Sequence, residues 1–215
     1  DINGKELEKN LKGKGKFIKT DVTNPYDVEN LKEKILEKYG KIDILINNAA
    51  KQTENSFFNM GIEEFKTVID VNLVGTFICS NIIGQILSDK GKIINMLSVH
   101  YNLPRKNKYH YDASKAAVAM LTKEMALELI EKGITVNSIS YGACNTPMNK
   151  EWINDSQKVE NVKSKIPMKW IAEPSEIANF LEIILRELDK YQLILNILRA
   201  MALKLTLKYI IEKMM

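Results

Sequence analysis

Short apolar runs alternate with longer amphipathic stretches along the 215-residue chain. Residues 16–22, "KFIKTDV", predict a strand ending in an aspartate, and residues 24–40 predict a helix. In that helix Val28, Leu31, Ile35 and Leu36 fall at i, i+3, i+7 and i+8, and Gly40 supplies a stop. "IDILINNAA" (42–50) predicts a buried strand that runs into a polar turn, 61–89 a long helix, "KIINMLS" (92–98) a strand and 109–131 a helix. "ITVNSIS" (134–140) predicts the next strand; Pro147 and Pro167 bracket a loop with a short helical piece, and 173–188 close as a helix with proline in its first turn. Nearly continuous apolar strands separated by helices indicate an α/β fold, a parallel sheet covered on both faces. In such sheets the ligand site lies beyond the carboxyl ends of the strands. Those ends are Asp21, Asn47–Asn48, Ser98 and Ser140–Tyr141–Gly142, all polar or glycine-bearing except for the tyrosine ring.

Composition adds little against this picture. At 45% hydrophobic and 27% charged it is ordinary for a soluble globular protein, with no repeat or low-complexity linker, so residues 1–190 are expected to form a single domain. The +4 charge comes almost wholly from lysines; Arg105, Arg186 and Arg199 are the only arginines, which argues against nucleic-acid partners. Cys79 and Cys144 have no metal-ligand spacing and no disulfide framework, as expected of a reducing, cytoplasmic setting. No signal peptide is expected from the N-terminal residues, and no uninterrupted apolar run approaches the ~18 residues of a transmembrane segment.

Candidate chemistry centres on "YHYDASKAAVAM" (109–120). Tyr111 and Lys115 lie one helical turn apart, on one face. A nearby cation stabilises a phenolate, and a tyrosine so tuned can exchange a proton with an alcohol or a developing alkoxide. The same spacing also describes an ordinary surface pair. Ser98, at a strand end, can hydrogen-bond the same substrate oxygen, or simply begin a loop. Asn72, among Val71, Leu73 and Val74 in a helix, can open a water-bridged path from Lys115 to solvent, or be a satisfied buried polar residue.

"INNAA", "INMLSVH" and "YDASK", in this order and spacing, resemble the short-chain dehydrogenase/reductase family, over about residues 15–190. The resemblance implies a Rossmann-like doubly wound parallel sheet and an NAD- or NADP-dependent oxidoreductase. Its catalytic tetrad falls on Asn72, Ser98, Tyr111 and Lys115. By the same resemblance Tyr111 is the general acid/base, and Lys115 lowers its pKa and bonds the nicotinamide ribose. Ser98 orients the substrate and Asn72 holds a relay water. Asp21 meets the adenine with Val22 beside it, Asn48 and Ala49 run along the cofactor, and the loop Gly142 to Thr146 covers the nicotinamide. Within the family, "GACNTPMN" and "IPMKWIAEPSEIA" are most similar to glucose 1-dehydrogenases, which implies a small-molecule sugar or alcohol substrate and a homo-oligomer built through the helices carrying Asn72 and Tyr111. His100 and His110 either face the sugar or lie exposed in loops.

The departures from the family are as informative. The family's glycine-rich turn between a first strand and helix is not found; Gly13 and Gly15 follow a helical pattern and precede a strand, the reverse context. The sheet is therefore expected to be incomplete, with the first two strands and the last strand missing or replaced. That opens a gap of about 4.8 Å per missing strand beside residues 16–22. No glycine follows Gly142, and residues 191–215 read as an atypical apolar and basic tail, drawn as an amphipathic helix with Lys204, Lys208 and Glu212 at i, i+4 spacing. Two alternatives stand beside the enzyme: a catalytically inactive remnant that acts as a binding or interaction protein, and a membrane-surface or partner-binding role for the tail.

Overall fold

The computed structural model describes residues 4–187 and 194–196. Its centre is a four-stranded, all-parallel sheet in the order β1 (Ile42–Asn47), β2 (Leu87–Met96), β3 (Thr135–Ser140), β4 (Ile194–Asn196). Around it lie α1 (Gly4–Asn10), α2 (Pro25–Tyr39), α3 (Ile62–Ile69), α4 (Gly75–Ile83), α5 (Tyr109–Leu129), the short α6 (Lys150–Ile153) and α7 (Ser156–Ser164), and α8 (Pro174–Glu187). This is a Rossmann-like doubly wound sheet, incomplete on the β1 side.

Side-chain alternation along β2 places one helical layer on each face. Ile93, with Val136 and Ile134, packs against Met125, Ala126 and Leu129 of α5. Ile94 and Met96, with Ile139, pack against Ile177, Phe180 and Ile184 of α8. Asn24 caps α2 by accepting the Tyr26 N–H, and Pro25 fills its first position. Val28, Leu31 and Ile35 carry the predicted apolar stripe onto Ile78, Cys79 and Ile83 of α4, whereas Leu36 is exposed.

Three expectations are corrected. Residues 16–22 form no strand. No other described strand lies on that side of β1, so their N–H and C=O groups have no ladder to join; instead Phe17 packs so closely on α1 that a Cβ at Gly4 would fall inside its ring, and Lys16 pairs with Glu8 at 3.3 Å. β1 is consequently an edge strand, with Ile44 and Ile46 each about two-fifths exposed, so the sheet is not covered on both faces along its whole width. The place beside β3 is taken by Ile194–Asn196, so at these three residues the tail is a strand rather than a helix: the free edge of β3 offers unsatisfied backbone groups. The other residues of the predicted tail helix lie outside the described residues.

The predicted helix over 61–89 ends earlier, at Ile86, and is broken internally. Asp70–Val74 form one π-helical turn between α3 and α4, and β2 begins at Leu87. The run Ile62–Ile86 is long and apolar enough to cross a membrane by length and composition. Here it packs on α2, α5 and β1 with a hydrogen-bonded asparagine inside it, while Ile62 and Phe77 stay exposed. Gly75 permits this packing: a Cβ there would lie 2.8 Å from Val22 Cγ2.

Candidate active site

The loops that leave β2 and β3 prolong the parallel ladder beyond the strands. Leu97 N–H donates to Ile139 O at 2.8 Å and Val99 N–H to Tyr141 O at 3.1 Å. Ser98, held between these two bonds in extended backbone, directs its side chain away from the core packing of Leu97, and its Oγ accepts the His100 N–H at 3.2 Å. Tyr111 lies in the first turn of α5, which packs on this loop. Ser98 and Tyr111 line one cavity of about 550 Å³, together with Gly142 and Thr146 of the loop after β3. Two of the groups that the sequence reading joins, Ser98 and Tyr111, thus face one cavity, and Lys115 is not in its lining.

The start of α5 is fixed by the loop after β1. Thr53 Oγ1 and His110 Nε2 are 2.7 Å apart, Asn55 N–H donates to Asn107 O at 3.2 Å, Tyr109 donates its hydroxyl proton to Ser56 O at 2.8 Å, and Lys108 pairs with Glu54 at 3.4 Å. Asn72, in the π turn, joins this arrangement. Its Oδ1 accepts Lys51 N–H at 2.7 Å, and its Nδ2 donates to Lys51 O at 3.0 Å and to Ser114 Oγ at 2.9 Å. π turns inserted in α-helices are frequent at functional sites because the extra residue redirects a side chain. Here the redirected amide makes three hydrogen bonds to protein groups, two through Nδ2 and one through Oδ1.

Lys115 is buried, and its Nζ donates to Met96 O at the carboxyl end of β2, at 2.7 Å. Burial lowers its pKa to about 8. The ammonium is 5.7 Å from the Tyr111 ring centroid. Burial raises the pKa of the Tyr111 phenol, and the nearby Tyr141 adds to this; the Arg105 guanidinium and a hydrogen bond with Ser98 act in the opposite direction. The Arg105 guanidinium lies 5.5 Å from the same ring, about as close as the Lys115 ammonium singled out by i, i+4 spacing. Arg105 escaped the sequence reading. The available signal was an isolated arginine in a lysine-dominated chain, six residues before Tyr111 and seven before Asp112.

The remaining candidates divide. Asp21, exposed, spends Oδ1 on the Thr23 hydroxyl and N–H at 2.7 and 2.9 Å, which lowers its pKa, and it does not line the cavity. Val22 packs with the α2–α4 cluster. Asn48 and Ala49 are exposed just beyond β1 and also lie outside the cavity lining. The two histidines part as well: His100 lines the cavity with Nδ1 2.7 Å from Leu103 O, whereas His110 is fully buried beside Thr53. Of the residues that the family resemblance assigns to a nicotinamide, Tyr111, Gly142 and Thr146 line the cavity and Lys115 does not. Among the described residues no strand–glycine-rich turn–helix stands ready for a pyrophosphate, since Gly13 and Gly15 sit in the turn after α1 with no strand before it.

Residues 2–192 match a family model described as enoyl-(acyl carrier protein) reductase. The chain is 38% identical over 169 residues to 3beta-hydroxysteroid dehydrogenase 1 of Eggerthella lenta, covering 77% of this chain and 65% of that protein. It is 32% identical over 177 residues to glucose 1-dehydrogenase 2 of Bacillus subtilis, covering 80% and 68%. Among solved structures, the ligand-free aldohexose dehydrogenase of Thermoplasma acidophilum superposes with a TM-score of 0.78 at 28% identity, over 84% of this chain and 75% of that one. The chain thus spans about two thirds of the length of these curated relatives.

Proposed function

We propose, on the premise that the chain belongs to the short-chain dehydrogenase/reductase family, that it is an NAD- or NADP-dependent oxidoreductase acting on a sugar or other small alcohol. The observation that carries this reading is the meeting of the Ser98 and Tyr111 hydroxyls on one cavity, with Lys115 anchored behind them.

In this reading Ser98 donates a hydrogen bond to the reacting oxygen and holds it against the phenol. Tyr111 gives its proton to that oxygen when a carbonyl is reduced and takes it back when an alcohol is oxidised. Its raised pKa keeps the phenol protonated through neutral pH, which favours the donating role in the state described. Lys115, Tyr111, Gly142 and Thr146 would hold the nicotinamide end of the cofactor, whose chemistry is to accept or supply the hydride. Asn72 has a positioning role: it ties the loop after β1 to Ser114, the residue next to Lys115. Exposed Phe77, Met120 and Leu127, on α4 and α5, support a homo-oligomer formed through those helices, and the free cysteines support a cytoplasmic setting.

The alternative reading is a remnant that acts as a binding or interaction protein without turning over. The two readings separate on one experiment. The enzyme reading expects a thermal shift with NAD or NADP and glucose-dependent reduced-nicotinamide absorbance that Tyr111→Phe abolishes. The remnant reading expects neither effect at millimolar cofactor.

A further inference from the structure

Arg105 occupies the loop between Ser98 and α5 and lines the same cavity. Two bonds to one carboxylate hold it: Arg105 N–H donates to Asp112 Oδ2 at 2.8 Å, and its Nη2 lies 3.3 Å from Asp112 Oδ1. Asp112 is buried, so the anchor is rigid, and the guanidinium is set 5.5 Å from the Tyr111 ring. The anchor engages only one side of the fork. The Nε–H is buried and has no hydrogen-bond partner. Nε is closed off from the cavity, but the side chain as a whole is 32% exposed, and an anionic oxygen is the best acceptor for a guanidinium there.

The lining around it has a consistent sign. Arg105 and Lys165 contribute to the cavity wall, and no aspartate or glutamate does among the described residues. Asp112 offsets part of the arginine charge from behind, not from within the cavity. A neutral sugar would leave this asymmetry unused. A substrate with an acidic group would meet the accessible part of the Arg105 side chain, which is 32% exposed, while its hydroxyl or carbonyl stays beside Tyr111.

We propose that Arg105 is a specificity-determining residue that selects a small polyol or hydroxy compound carrying an anionic group, a carboxylate or a phosphate, with Asp112 as its positioning residue. This inference rests on reading the cavity as the substrate site, and it concerns binding rather than turnover.

The test therefore uses binding to the full chain without cofactor. Glucose, glucuronate and glucose 6-phosphate are titrated by ligand-observed NMR against wild type, Arg105→Lys and Arg105→Met. At least one acidic sugar is expected to bind wild type about tenfold or more tightly than glucose, as a charge-assisted pair implies. That preference falls to near unity in R105M and is partly restored in R105K; whichever of the two acids shows it identifies the anionic group. Equal affinity of wild type for all three sugars, or a preference that survives R105M, overturns the proposal. Absence of turnover with NAD or NADP would count against the proposed oxidoreductase and leave this binding result to stand by itself.

Discussion

Asn72 pairs with the main chain of Lys51 as a neighbouring strand would, its amide oxygen taking the N–H at 2.7 Å and its amide nitrogen giving to the C=O at 3.0 Å. A side chain in the middle of a helix thus satisfies both backbone groups of a residue in the loop after β1. The third bond, to Ser114 Oγ, links that loop to the helix bearing Tyr111 and Lys115.

Asn72→Ala should accordingly destabilise the fold by about 1–3 kcal/mol, because it leaves the part-buried Lys51 main-chain groups without their partner and removes one bond of the buried Ser114 hydroxyl. Urea unfolding measures this. A loss below about 0.5 kcal/mol, the level of a neutral surface change, would show that water replaces the amide at no cost.

Tyr111→Phe removes one hydroxyl and leaves the ring packing in place. Oxidoreductase activity should fall by about 10²-fold or more, with a melting temperature close to wild type. Ser98→Ala should lower kcat in the same direction, since it removes the donor to the same oxygen. Steady-state kinetics with reduced-nicotinamide absorbance reads both; undiminished turnover in Tyr111→Phe would remove the phenol from the chemistry.

Lys115 gives a pH dependence with a definite sign. Its folded pKa of about 8 lies below the unfolded value of 10.5, so between these two values the unfolded chain holds a proton that the folded chain lacks. Stability from this group therefore rises with pH across that window, and below pH 8 the full burial penalty is present. Relative to Lys115→Met, wild type should gain up to about 3 kcal/mol between pH 7 and 10.5. Urea unfolding of both proteins across that range checks it, and parallel pH curves would contradict it.

The open edge of β1 predicts self-association. Ile44 and Ile46 are partly exposed on a strand that, among the described residues, is paired on one side only. Charges on edge strands discourage pairing with another chain. Ile44→Lys should reduce concentration-dependent aggregation in light scattering with a stability change within about 1 kcal/mol, as at other partly exposed positions. Unchanged aggregation would place the adhesive surface elsewhere, for example on Phe77 and Leu127.

The order of elements was legible in the sequence because periodicity is local. The strands at β1, β2 and β3 and the helices α2, α5 and α8 are each set by the spacing of their own apolar residues, and "LSVH" with "YHYDASK" marked the two hydroxyls and the lysine before any contact was known. Residues 16–22 carry a strand's local pattern just as clearly, yet form none, because a strand exists only through hydrogen bonds to a neighbour.

The same distinction separates the site residues. Sequence by itself determined which groups could exchange a proton and that they follow a strand end and open a helix. Only the tertiary structure decided that Ser98 and Tyr111 share a cavity, that Lys115 turns to the Met96 carbonyl, that Asn72 bonds to Lys51, and that Arg105 comes as close to the Tyr111 ring as Lys115 does. Charge and hydrogen bonding act through distances of a few ångströms between residues far apart in the chain, and burial, which moves both the Tyr111 and the Lys115 pKa, is a property of the packed whole.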